Sequence, residues 1–167
     1  MYIRPNLKYN GSMITTTPIE DESGYEKRSR AGLIPYLRGD DGVLRYLMMV
    51  SSDPKFGGPR PMISKGKIES GETPIQGAIR EAEEELGFKQ RNIRGEYIPL
   101  FDGRQELFSG AYHLTVFGVE IQDRYDFDKW CDETEFTTWM TLESFRVKGR
   151  KDHVKFVEAL EEKVGQS

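Results

Sequence analysis

The segment from Gly66 to Phe88 constrains this chain more than any other, because a helix signal and a charge pattern overlap in it. Thr73-Pro74 reads as a helix start, with Thr73 placed to cap and Pro74 at the first helical position, and Gly87 reads as its stop. At roughly 100° per residue, Ile75, Ile79, Ala82 and Leu86 share one stripe with Ala78 at its margin. Glu81, Glu84 and Glu85 fall in a separate arc about 100° wide. One surface of the expected helix therefore meets the core while its neighbour presents three carboxylates.

Two readings of that acidic arc stand on the helix alone. It is a solvated face, or it is neutralised by a bound cation, since like charges at helical spacing weaken a helix. The surroundings bear on the choice. Lys65-Gly66 precedes the helix, Glu69 and Glu72 lie in the loop, and Arg80 stands beside the arc. Gly66 and Gly71 permit a tight loop that brings main-chain oxygens near Glu81. Arg80 can bond Glu72 or Glu84 and tie the loop to the helix.

Composition narrows the partners. The chain has 167 residues, the size of one domain, and 37% apolar with 31% charged residues fits a soluble globular protein. No run approaches the roughly 20 apolar residues that cross a bilayer, so no membrane partner is expected. Cys131 is the single cysteine, which excludes a disulfide framework and a thiolate zinc cluster. Met1–Asn6 carries no apolar signal core, so the expected compartment is cytoplasmic and reducing. A net charge of −4 disfavours a broad nucleic-acid face and leaves room for a local phosphate pocket. With only His113 and His153, oxygen ligands to a hard cation are the metal chemistry left open.

Residues 1–29 are polar and without period, an N-terminal arm or peripheral extension; the domain is expected over 30–167. Ala31–Arg38 reads as a strand, with Pro35 favouring an edge or a bulge. Gly39-Asp40-Asp41-Gly42 turns it into a second strand, Leu44–Val50. A long loop covers 51–61, and Met62-Ile63 is a short strand entering the box. Glu96–Phe101 and Ala111–Val119 are further strands flanking a turn-rich Asp102-Gly103-Arg104, and Phe136–Met140 is another. Lys151–Val164 closes the chain as a helix, its core stripe being Val154, Val157, Leu160 and Val164.

The box from Gly66 to Phe88 closely resembles the defining motif of the Nudix hydrolase family. Gly66 matches its first glycine; Glu72 follows after five residues, and Arg80-Glu81 after seven more. Ala82 fills the small position, Glu84-Glu85 match the carboxylate pair, and Gly87-Phe88 close the pattern. The resemblance covers 23 of 167 residues with every fixed position present. It implies an α/β/α sandwich with a mixed, curved β-sheet, the box forming a loop–helix–loop at one sheet edge.

It further implies hydrolysis of a pyrophosphate bond in a nucleoside diphosphate linked to another group, assisted by Mg²⁺ or Mn²⁺. Glu81, Glu84, Glu85 and the Gly66 region are the implied metal ligands, with Glu69 and Glu72 organising the loop. The general base is a box glutamate or a residue of the late acidic loop, Glu133 first and Glu135 second. Lys65 and Arg80 are candidates to offset phosphate charge, and Arg104 to meet phosphate. A base or sugar pocket draws on Phe56, Trp139, Tyr97, Phe101 or Tyr112, with Asp53 or Arg60 from the long loop. Arg104 and Gln105 stand near where two named classes carry a proline or a tyrosine, so ADP-ribose and dinucleoside polyphosphates both stay open. Nucleoside triphosphates or capped RNA are the alternative substrates, an inactive nucleotide-binding protein the alternative class. The resemblance also allows a homodimer.

Overall fold

Alternation along β1 (Arg30–Arg38) sets the layering. Ala31, Leu33 and Leu37 enter one hydrophobic core, while Ile34 and Tyr36 enter another on the opposite face. A strand buried on both faces belongs inside a sheet that is covered on both sides. The structure, a computed structural model, describes residues 29–53, 59–107, 110–122 and 132–165. The expected arm over 1–29 lies outside these residues except for Ser29.

β1 is flanked by β5 (Gly110–Glu120) and β2 (Leu44–Ser51), with β4 (Ile98–Leu107) beyond β5 and β6 (Thr134–Met140) beyond β2. β3 (Ser64–Lys67) lies beside the first half of β1. The β1–β5 pair is parallel and the other pairs are antiparallel, so the sheet is mixed. Helix α1 (Pro74–Leu86) supplies Ile75, Ala78, Ile79, Ala82 and Leu86 to the first core. Helices α2 (Leu142–Lys148) and α3 (Val154–Val164) supply Phe145, Phe156, Val157 and Leu160 to the second. The result is the α/β/α sandwich expected. None of the helices among the described residues is long and apolar enough to cross a membrane.

Local chemistry explains α1. Thr73 Oγ1 accepts from the Gln76 amide at 3.3 Å while Gln76 Oε1 accepts from the Thr73 amide at 2.9 Å, a reciprocal cap. Gly87 ends the helix at φ 70°, a left-handed conformation that costs glycine little.

Two expectations are corrected by long-range pairing. Pro35 lies in an interior strand, not at an edge. It pairs with Val119 on one side, and on the other it falls between β3, which ends opposite Leu33, and β2, which begins opposite Tyr36. Its missing N–H is therefore tolerated where the partner changes. Asp102-Gly103-Arg104 is not a turn: β4 runs through it, paired with Leu114, His113 and Thr115 of β5. Ladder pairing overrides the local turn preference there. Smaller differences concern Met62, which makes an isolated bridge to Met49 before β3, and Lys151–His153, a 3-10 turn ahead of α3.

Candidate active site

The carboxylates of α1 meet the open side of β3. Glu85 is 6% exposed, and its Oε1 accepts from Ser64 Oγ at 2.9 Å and from the Lys65 amide at 3.0 Å. The Lys65 amide thus bonds the helix instead of β1. Thr134 Oγ1, at the start of β6, donates to the Glu85 carbonyl at 2.9 Å. Burial, and next the neighbouring Glu81 charge, push the Glu85 carboxyl up to about 8.

Glu81 lies one turn back and next to Gly66. A Cβ built on Gly66 would stand 2.1 Å from Glu81 Cδ and 2.4 Å from each carboxylate oxygen. Only glycine lets β3 approach the acid this closely. Burial raises the Glu81 carboxyl above the usual range, and the Glu84 and Glu133 charges add to it while Arg80 opposes it. Glu133, in the loop before β6, is therefore electrostatically part of this surface.

Arg80 holds the loop. Its Nε and Nη2 donate to Glu72 Oε2 and Oε1 at 2.8 and 3.0 Å, a two-pronged bond to a carboxylate only 6% exposed. Nη2 also donates to the Lys67 carbonyl at 2.9 Å, and Nη1 to Glu81 Oε1 at 3.0 Å. Glu69 and Glu84 lie farther off, at 3.7 and 3.6 Å. The Glu72 bonds, above all, raise the basicity of the guanidinium beyond its ordinary value.

Arg80 and the β3 edge thus occupy one oxygen of each inner carboxylate. Glu81 Oε2 and Glu85 Oε2 have no hydrogen-bond partner among the described residues. The donor type fits a hard divalent cation: carboxylate oxygens, with a glycine opening the approach. As the side chains stand, no group of three acids among the described residues is gathered at ligand spacing.

The other expected site residues are dispersed. Lys65 turns to the opposite face of β3, where its Nζ stands 5.5 Å from the Tyr112 ring centroid; burial first, then Arg30 and Arg150, lower it to about 8. Arg104 bonds Glu106 at 2.8 Å on its own strand. Trp139 packs against the first core and pairs with Leu47, five residues along β6 from Thr134, the residue that reaches Glu85. Phe56 lies outside the described residues. Ser64 and Thr134 are the contributors that sequence reading missed. A hydroxyl on a separate strand leaves no periodic signal.

The raised Glu85 carboxyl has a measurable consequence. Between its ordinary value of 4.5 and about 8, the folded state holds a proton that the unfolded chain has released. Stability should therefore fall as pH rises through that window. Below the ordinary histidine value of 6.5, buried neutral His153 gives the opposite slope, and Lys65 does so above about 8. The clean interval is pH 6.5–8. There the metal-free protein should lose about 2 kcal/mol, or about 4–8 °C in Tm by calorimetry. Saturating Mg²⁺ should remove the decline.

Comparisons with known proteins bear on the family and the fold. A family model for the NUDIX domain matches residues 27–160. Over 77 residues the chain is 34% identical to the 8-oxo-dGTP diphosphatase of Escherichia coli (strain K12), a match covering 46% of this chain and 54% of that protein. The match thus spans about half the length of that relative. Among solved structures, a C. elegans Ap4A hydrolase in a binary complex superposes with a TM-score of 0.71 at 17% identity, over 83% of this chain and 98% of that one. The NUDIX domain of Shewanella oneidensis NrtR, solved with ADP ribose, gives 0.67 at 14% identity, over 81% and 87%. At such identities these structures speak for the fold, and the family model, spanning most of the chain, speaks for the lineage. The chain belongs to the Nudix hydrolase family.

Proposed function

We propose that the protein hydrolyses a pyrophosphate bond in a nucleoside diphosphate joined to another group, using Mg²⁺ or Mn²⁺. The observation that carries the reading is the convergence of Glu81 and Glu85 on the edge of β3, with Gly66 opening the approach. Glu81, Glu84 and Glu85 would hold the cation, beside the Gly66 main chain. When bound, it would supply Lewis-acid polarisation of the phosphate oxygens and offset their charge.

Water adds to one phosphorus, the bridging P–O bond breaks, and the bridging oxygen leaves with its electron pair on the second phosphate. A nucleoside monophosphate and a phosphorylated group result. Glu133, whose charge already acts on Glu81, is the residue assigned to take the proton of that water. Arg80 keeps the loop and Glu81 in register through its bonds to Glu72 and the Lys67 carbonyl.

The test is a panel of ADP-ribose, dinucleoside polyphosphates, nucleoside triphosphates and capped RNA with Mg²⁺, products identified by mass. At least one should yield a nucleoside monophosphate or its phosphorylated partner, and EDTA should abolish the yield. Binding of nucleotides without cleavage of any would sink the enzyme reading.

Gly66→Ala provides a second check. The new methyl cannot coexist with Glu81 where it stands, so the carboxylate must leave its bond to Arg80. A displacement of that size should lower turnover by about 10²-fold, with an unchanged circular dichroism spectrum.

A further inference from the structure

β6 changes face partway along its length. Its ladder with β2 runs regularly from Met140 back to Phe136, which pairs with Val50. The next residue of β2, Ser51, pairs with Thr134, and Glu135 is left over. Such a bulge reverses the alternation of a strand. Met140 enters the second core and Trp139 packs on the first, so an even-numbered residue of a regular β6 would lie on the side of α2 and α3. Past the bulge, Thr134 stands instead on the α1 side, where its Oγ1 donates to the Glu85 carbonyl at 2.9 Å.

The bond answers a need of the helix end. Glu85 belongs to the last turn of α1, whose carbonyls have no donor within the helix. The Gly87 and Phe88 amides serve the Glu83 and Ala82 carbonyls, and buried Thr134 serves that of Glu85. On the other side of Glu133, Ser52 donates from its amide to the Glu133 carbonyl at 2.9 Å and from its hydroxyl to the Asp132 carbonyl. The main chain is therefore anchored on both sides of Glu133, while the Glu133 side chain is exposed and its charge acts on Glu81. A fixed backbone beneath an exposed carboxylate suits a group that must meet water at a set place.

We propose that Thr134 is a positioning residue: its hydroxyl, brought to the α1 side by the bulge at Glu135, latches the loop before β6 to the end of α1 and so holds Glu133 at the carboxylate surface. The inference rests on the pyrophosphohydrolase reading, in which Glu133 takes the proton of the attacking water. Two sets of bonds divide the work at Glu85. Its carboxylate is held by Ser64 and the Lys65 amide, and its carbonyl by Thr134. Loss of the Thr134 hydroxyl should therefore move Glu133 and leave the Glu85 carboxylate in place.

Thr134→Val keeps the size of the side chain and removes the donor. On whichever nucleotide of the panel is cleaved, it should lower kcat by about tenfold with KM within about twofold, because a displaced base loses much of its effect. Thr134→Ser restores the hydroxyl and should bring kcat back to within about threefold of the parent. In a Glu133→Gln background, Thr134→Val should cost less than about twofold more, since a residue acting only through Glu133 has nothing left to position. A full loss in that background, or an unchanged kcat in folded Thr134→Val, overturns the assignment. If Thr134→Val does not fold, Thr134→Ala against Thr134→Ser makes the same comparison.

A second measurement needs no turnover. With Mn²⁺ bound, the paramagnetic relaxation of the Glu133 amide in ¹H–¹⁵N NMR should be weaker in Thr134→Val than in the parent, while the Mn²⁺ dissociation constant stays within about twofold. Equal relaxation in the two proteins overturns the latch. Mn²⁺ affinity that falls along with kcat also overturns it, by placing the effect at the Glu85 carboxylate. If no nucleotide is cleaved, the enzyme reading fails, and the relaxation still judges whether Thr134 holds Glu133 beside the carboxylates.

Discussion

Glu85→Gln is expected to lower Mg²⁺-dependent hydrolysis by about 10²–10³-fold and, in the same protein, to raise the metal-free melting temperature at pH 8. The opposite signs follow from one cause. Glu85 is buried at the β3 edge beside Glu81, so its negative charge is costly without a cation and indispensable with one. Glutamine keeps the shape: its Oε1 can still accept from Ser64 and the Lys65 amide, as the carboxylate does at 2.9 and 3.0 Å. What disappears is the charge at Oε2. Steady-state kinetics at matched Mg²⁺ and calorimetry in EDTA read the two effects separately. Unchanged turnover would reject Glu85 as a ligand. A lowered melting temperature would reject the cost assigned to its charge. Glu84→Gln should change metal-free stability less, because the Glu84 side chain is 45% exposed and water already screens it.

The parts of this site legible in the sequence are those whose cause is local. Thr73, Pro74, Gln76 and Gly87 carry their capping geometry in adjacent residues, so the start and stop of α1 could be read directly. The separation of Ile75, Ile79, Ala82 and Leu86 from Glu81, Glu84 and Glu85 is a matter of helical period, and the first set is buried as expected. Arg80 was legible as a clamp on Glu72, within reach of one loop. Long-range pairing was not legible. Pro35 reads as an edge residue until β2 and β3 are seen to share one side of β1, and Asp102-Gly103 reads as a turn until β5 pairs with it. The same holds for the groups that pin Glu85, since Ser64 and Thr134 lie 21 and 49 residues away.

Arg80→Met should cost about 3 kcal/mol of stability, a fall of about 6–12 °C in Tm for a domain of this size. The loss comes less from the guanidinium than from what it leaves behind. Glu72 is nearly buried and, among the described residues, would retain only the Glu69 amide, at 2.9 Å, in place of two charged bonds. An uncompensated buried carboxylate is among the more destabilising changes available to a domain, whereas a solvated ion pair contributes little. Removing the acid as well distinguishes these cases. Glu72→Gln in the Arg80→Met background should recover much of the lost stability, giving a coupling energy of about 1–3 kcal/mol in a double-mutant cycle. Arg80→Lys should fall between, because an ammonium keeps the charge but cannot span both Glu72 oxygens while also reaching Glu81. If Arg80→Met melts within about 1 °C of the parent, or the two substitutions simply add, Arg80 is an ordinary surface arginine and the loop is held by other means.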